Sequence, residues 1–311
     1  MKLYISTPPH IRTNKDTKRI MLDVIIALLP TTLAGIYFFG YRAAIVLAVA
    51  CVTAVLAEFI WQKLAHQPVR TGDLSALVTG LILGLNLPPT APWWLACIGS
   101  IIAIILVKQL FGGIGHNFMN PAMAARGVLI VSWPALMTAY TLPSVFPALD
   151  AVTSATILSD AQVAANYTYM DMFLGNIPGS IGEVSKAAIL LGLLYMLIRG
   201  VVSWRIPVVF MGVFAALSAI FTGDALSACL TGGVLFGAVF MATDYTTSPM
   251  SRLGQFIYAA GCGLMVALIR NFGAYPEGVT FAILLMNIVT PLLDKYIKPR
   301  IYGTKGAKKN A

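Results

Sequence analysis

The chain has 311 residues, of which 58% are hydrophobic and 11% charged, and its formal charge is +9. Soluble domains carry about a quarter charged residues, so this composition excludes an ordinary soluble fold and requires lipid as part of the solvent. The basic residues gather in a tail at each end of an apolar body, as in the cytoplasmic flanks of a membrane protein, and leave no compact basic domain to bind nucleic acid.

Cys51, Cys97, Cys229 and Cys262 are scattered through apolar runs without a Cys-x-x-Cys pair, and His10, His66 and His116 are equally dispersed. Neither set has the spacing of a zinc or iron–sulfur site built by this chain alone. Residues 1–19 are polar, with Lys2, Arg12, Lys15, Lys18 and Arg19, and pass into an apolar run without a small-residue cleavage site. A retained first span is expected, not a signal peptide.

The run 20–39 is long enough to cross a hydrocarbon core of about 30 Å as a helix, with Pro30 as a place for a kink. Residues 43–61 return and end among Lys63, His66 and Arg70, a flank that belongs on the cytoplasmic side. The third apolar segment, 74–87, is shorter than the roughly twenty residues a crossing takes and is interrupted by glycine, the pattern of a broken helix held by its neighbours. Trp93 and Trp94 open a fourth span that ends near Lys108. Asn120-Pro121 opens a fifth, with proline at the first helical position, that ends near Trp133.

From Pro134 to Glu183 there is no Lys or Arg, while Asp150, Asp160, Asp171 and Glu183 are present, so this stretch is expected outside the membrane. Five more apolar runs follow, at 187–198, 206–221, 225–243, 253–269 and 278–293. The expected fold is an all-α polytopic membrane protein of about ten transmembrane helices in two inverted five-helix repeats with broken helices. Its parts are a cytoplasmic segment 1–19, a first repeat 20–134, an extracytoplasmic loop 135–185, a second repeat 186–293 and a basic cytoplasmic tail 294–311. Arg42 and Arg270 fall on the outer side, against the charge bias.

The inverted repeat rests on a recurrence. The stretch Gly72-Asp73-Leu74-Ser75-Ala76-Leu77-Val78-Thr79-Gly80 returns, with one inserted residue, as Gly223-Asp224-Ala225-Leu226-Ser227-Ala228-Cys229-Leu230-Thr231-Gly232. Each copy opens the third span of its block, and the span count puts the two on opposite faces, as inverted halves require. Among polar residues within the spans, Arg126 should find a partner or a polar cavity. Asp23 and Glu58 are placed to snorkel to the interface. Asp73 and Asp224 are candidate helix caps, and Asn120, Asn271 and Asn287 candidates for satisfying freed backbone.

The loop carries the sequence Asp150-Ala151-Val152-Thr153-Ser154-Ala155-Thr156. By residue type alone it reads as a turn in which Asp150 and Thr153 cap a nearby helix. It also resembles the flavinylation motif, Ser or Thr then x-Ala-Thr preceded by Asp, of the NqrB/RnfD family, membrane components of the sodium-pumping NADH:quinone oxidoreductase and Rnf electron transport complexes. The resemblance extends over nearly the whole chain, through Leu87-Pro88-Pro89, His116-Asn117-Phe118-Met119-Asn120-Pro121-Ala122, Phe240-Met241-Ala242-Thr243-Asp244 and Tyr275-Pro276-Glu277-Gly278. The short N-terminus favours the RnfD branch. Ala151 and Ser154 stand where glycine is common in the family, which keeps the motif and stiffens the turn.

The resemblance implies FMN in a phosphoester bond to Thr156, installed by a separate flavin transferase, with Asp150, Thr153, Ser154 and Ala155 as the surrounding motif. It implies a non-covalent riboflavin as well. The implied partners are a second covalent-FMN protein (RnfG), iron–sulfur membrane proteins (RnfA and RnfE), soluble proteins (RnfB and RnfC) and the lipid membrane. The implied activity is that of one component of an ion-translocating oxidoreductase in the bacterial inner membrane, moving Na⁺ or H⁺ and not catalytic alone. A channel-like or secondary transporter of a small solute would share the inverted-repeat fold, and Thr156 discriminates between the two.

Overall fold

A computed structural model describes residues 16–143, 153–154, 167–273 and 278–297. Five helices are long and apolar enough to cross a membrane: α1 (Thr17–Phe39), α2 (Tyr41–Leu64), α9 (Arg205–Thr222), α12 (Arg252–Phe272) and α13 (Val279–Tyr296). Between them lie shorter helices: α3 (Ser75–Leu85), α4 (Trp93–Gln109, its second half π-helical), α5 (Pro121–Ser132) and α8 (Lys186–Arg199). The eleven residues of α3 reach only about 17 Å, well short of the hydrocarbon thickness. Such helices need neighbours to satisfy their ends. Short helices α6 (Pro134–Met137) and α7 (Tyr169–Leu174) lie between α5 and α8.

Both copies of the repeated stretch are breaks. In the first, a 3₁₀ turn (Thr71–Asp73) meets α3 at Leu74, whose φ of 65° is left-handed and unusual for a branched residue. Asp73 secures that joint, its Oδ1 accepting from the Ser75 N–H at 2.9 Å and the Ser75 hydroxyl at 2.6 Å. In the second, Asp224 caps α10 (Ala225–Leu230) through the Ser227 N–H at 3.1 Å. The chain then opens at Thr231–Gly233 and resumes as α11 (Val234–Phe236, continuing as the π-helix Gly237–Met241). The freed carbonyls of Ala228 and Thr231 accept from Arg270 at 3.0 and 3.1 Å.

Helix pairing follows a regular scheme. Within the first half α2 packs on α3 and α4, and within the second α9 packs on α10 and α12. Across the halves α1 packs on α8 and α5 on α13. Glycine allows the closest approach: a Cβ on Gly192 would lie 2.3 Å from the Ala27 carbonyl oxygen and 2.7 Å from the Phe240 ring. The α1–α8 contact is therefore backbone to backbone. One continuous core, from Leu28 and Leu47 through Leu83 and Met123 to Phe210, Phe236 and Tyr258, joins the halves.

Polar and aromatic contacts gather where helix ends meet, at two levels. At one, the end of α2, the start of α3 and the end of α4 meet in the Glu58–Lys108–Ser75 contacts. There too, Asp23 of α1 bonds Tyr195 and Arg199 at the end of α8. At the other, Asn86 after α3 meets α5, Trp94 at the start of α4 meets Trp133 after α5, and Phe221 at the end of α9 meets Phe272 at the end of α12.

Candidate functional site

Two residues of the loop motif, Thr153 and Ser154, pair with a strand beyond the end of α6. Residues Tyr140–Thr141 form strand β1, and Thr153–Ser154 form β2, paired antiparallel with Tyr140 opposite Ser154 and Thr141 opposite Thr153. β1 is fixed to the helical body. Tyr140 and Thr141 are buried, and the Thr90 hydroxyl, in the turn between α3 and α4, donates to the Ala139 carbonyl at 2.5 Å. Of the motif, Thr153 and Ser154 are thus placed beside the helix ends, while Asp150, Ala155 and Thr156 lie outside the described residues.

After the loop, the chain docks on the second break. Thr168 and Asp171 form a capping box at the start of α7, and the Tyr169 hydroxyl donates to Asp224 Oδ2 at 3.0 Å. That bond pushes the Tyr169 pKa above its ordinary value. Met172, Ile177 and Leu230 pack beneath. Asp224 therefore serves both the cap of α10 and the seat of α7.

Arg126, in α5, donates to Asn86 Oδ1 at 2.8 Å, the partner its position in a span requires. Beside it, Glu183 accepts from the Ser180 N–H at 2.8 Å, and the Lys186 ammonium donates to the Glu183 carbonyl. The carboxylate sits against Gly179 and Gly233, where a Cβ would come within 2.9 and 2.7 Å of its oxygens. No local pattern announces this cluster, because Asn86, Glu183 and Lys186 border apolar runs and read as loop residues.

At the opposite level, a cavity of about 270 Å³ opens between α1, α3, α5, α8 and α11, with apolar walls at Ile20, Val78, Met196 and Phe240 and polar groups at Lys108 and Asn117. Two expectations are corrected here. Glu58 does not snorkel: it is 1% exposed, with Lys108 Nζ at 2.7 Å and Gln109 Nε2 at 2.6 Å from its Oε1. Asp23 is 8% exposed and bonded to Tyr195 and Arg199. Asp224 does cap a helix, whereas Asp73 stands one residue before the N-cap Leu74 and bonds Ser75; Asn120 caps α5 while donating to the Met241 carbonyl at 3.3 Å. Asn287 instead accepts from the Tyr258 hydroxyl, and Asn271 donates within its own helix.

Long apolar helices around one continuous core, with short helices tucked among them, define a multi-pass membrane protein of helical class. The chain belongs to the NQR2, RnfD, RnfE family, whose model matches residues 4–303. It is 44% identical to the D component of the Na⁺-translocating ferredoxin:NAD⁺ oxidoreductase complex of Acetobacterium woodii, over 100% of this chain and 98% of that one. It is 41% identical to the D component of the proton-translocating ferredoxin:NAD⁺ oxidoreductase complex of Clostridium ljungdahlii, over 97% and 96%. To the D component of the ion-translocating oxidoreductase complex of Halorhodospira halophila it is 38% identical, over 95% and 94%.

Proposed function

We propose that this chain is the RnfD component of an Rnf-type ferredoxin:NAD oxidoreductase complex, relaying electrons through FMN on Thr156 and contributing to coupled movement of a monovalent cation. The observation that carries the reading is the likeness, over nearly the full length, to relatives with that name. One of them is named for Na⁺ and another for protons, so the cation is Na⁺ or H⁺.

The chemistry of the motif fits a phosphate-linked flavin. Thr153, Ser154 and Thr156 are hydroxyl residues, the type a phosphoester requires, and β2 ties the stretch to the helical body. FMN supplies one-electron transfer between an iron–sulfur donor and another flavin. The chain's task is to hold it at a fixed distance, and a covalent bond keeps an extracytoplasmic carrier from being lost. A non-covalent riboflavin belongs to the same reading. So do RnfA, RnfB, RnfC, RnfE and RnfG as partners, the flavin transferase, and a site in the bacterial inner membrane with both termini cytoplasmic.

The same reading includes ten crossings in two inverted halves. Its support is the contact scheme: helices that start at one level meet helices that end there, as alternating crossings require. The halves also repeat their chemistry. In each, an aspartate accepts a backbone N–H at the start of the broken third segment, and a cation at the end of the fourth, Lys108 or Arg270, reaches back to that segment. The deciding experiment is intact mass and in-gel flavin fluorescence of wild type and Thr156→Ala, each co-expressed with a flavin transferase. A fluorescent wild-type band heavier by one FMN, absent in the variant, is expected. A dark wild-type chain, with the transferase active on another substrate, would remove the electron-relay role and leave the transporter.

A further inference from the structure

Residues 177–186 run without a helix until α8 starts at Lys186, and all ten are buried. Irregular backbone inside a membrane protein must be satisfied by protein, and here it is. The Gly182 N–H donates to the Leu85 carbonyl at 2.7 Å and the Ile181 N–H to the Leu87 carbonyl at 3.1 Å, so the segment seats on the C-terminal end of α3. Against α1, a Cβ on Gly35 would lie 2.6 Å from the Ile181 carbonyl oxygen. In the other half, Glu183 Oε2 meets the break before α11, 2.7 Å from the Cβ position of Gly233, and Arg126 Nη1 of α5 is 3.9 Å from the same point.

The segment therefore reaches α1, α3, α5, α8 and α11, and these are the helices that line the cavity at the level of the Glu58–Lys108 pair. Each meets the cavity near one end and the segment farther along: Ile20 then Gly35 in α1, Val78 then Leu85 in α3, Met196 then Lys186 in α8. Between those points along the helices stand Leu28, Leu83 and Ile189, all 0% exposed. Five helices thus surround one axis, open at one end and filled at the other. Glu183 fastens the filling, since its Oε1 accepts from the Ser180 N–H at 2.8 Å and its carbonyl from the Lys186 ammonium. Its Oε2 is buried with no hydrogen-bond partner among the described residues. A seat left incompletely satisfied in this way gains partners when it opens to water.

We propose that residues 177–186 are a plug closing one end of the five-helix ring, that a monovalent cation in the cavity crosses only when the plug lifts, and that Glu183 is the latch. This deepens the reading of cation movement and rests on it. The plug completes a crossing that α8, about 21 Å long for its 14 residues, does not make alone. Glu183 is a positioning residue: it holds the loop in shape and sets its carboxylate against Gly233, and its loss frees the plug without removing a helix contact.

The test uses the whole complex in nanodiscs, with Ser180→Cys in this chain freed of its native cysteines and a membrane-impermeant maleimide as probe. Ser180 is 1% exposed, so labelling at rest should be slow, and turnover with reduced ferredoxin and NAD⁺ should speed it at least tenfold. Adding Glu183→Gln should raise the resting rate at least fivefold. In proteoliposomes, Gly182→Cys/Leu85→Cys, whose Cβ positions stand 2.7 Å apart, forms a disulfide after a small adjustment and ties the plug to α3. Cation uptake should then fall at least tenfold and return on reduction. Equal labelling of Ser180→Cys at rest and in turnover, or full uptake with the disulfide formed, would overturn the plug as a gate. An unchanged resting rate in Glu183→Gln would overturn the latch. A wild-type complex that oxidises ferredoxin without taking up Na⁺ or H⁺ would instead sink the reading of cation movement, while the labelling still reports whether the plug moves.

Discussion

Lys108 and Glu58 stand 2.7 Å apart with side chains 4% and 2% exposed, and at that depth neither charge is tolerable without the other. Removing one partner of a buried pair leaves an uncompensated charge, at a cost of about 3–5 kcal/mol. Lys108→Met should therefore lower the thermal midpoint of the detergent-solubilised chain markedly, and Lys108→Met/Glu58→Gln should recover most of the loss. A single variant as stable as wild type would mean that water reaches the pair. Ser75 joins the pair to the joint at the start of α3, since its hydroxyl accepts from Lys108 Nζ at 2.6 Å and donates to Asp73. One polar cluster thus fixes the end of α2, the start of α3 and the end of α4.

The helices α3, α5 and α8 are short, with 11, 12 and 14 residues, so their stability comes from side-on packing. Gly192 tests this. Its hydrogen faces the Ala27 carbonyl with no room for a methyl group, so even Gly192→Ala should force α1 and α8 apart, at about 1–3 kcal/mol. Gly212, in α9, has nothing within 4 Å of its Cβ position. There the same substitution removes only the helix penalty of glycine, and Gly212→Ala should be neutral or stabilising by up to about 1 kcal/mol. Thermal denaturation of the two variants side by side gives the comparison. Equal midpoints would show that the α1–α8 contact is looser than the backbone approach indicates. At the breaks, polar groups take the place of helix continuity: Asp73 and Asp224 at the starts, Arg270 at the end of α10.

For the molecule as a whole, the proposed ten crossings would put the basic C-terminal tail and the segment before α7 on opposite sides of the membrane. Single cysteines at Thr168 and at Lys305, in a background without the native four, should react with a membrane-impermeant maleimide from opposite sides of the membrane. Labelling of both from one side would refute the ten-crossing reading. Arg270 explains one exception to the charge bias of the loops. Its guanidinium is occupied with the Ala228 and Thr231 carbonyls and lies 5.1 Å over the Phe214 ring, so it serves a helix end and carries no topological signal.

That the chain is a helical membrane protein, where its apolar runs lie and which stretches break them were all legible in the amino-acid order. Those properties depend on composition and local pattern: an apolar run in lipid must satisfy its own backbone as a helix does, and an Asp two or three residues before a Ser at its head can accept that residue's N–H wherever the helix goes. The motif from Asp150 to Thr156 stands in consecutive residues of the sequence, and its reading as a flavin site is the proposal that the mass and fluorescence experiment tests. Packing alone revealed that Glu58 finds Lys108 fifty residues on, that Arg126 reaches Asn86, and that Thr153 and Ser154 pair with Tyr140 and Thr141. A carboxylate near a span end has the same local sequence whether it snorkels to water or meets an ammonium. Which it does depends on the helix packed beside it, and that partner is set by the fold of the whole chain.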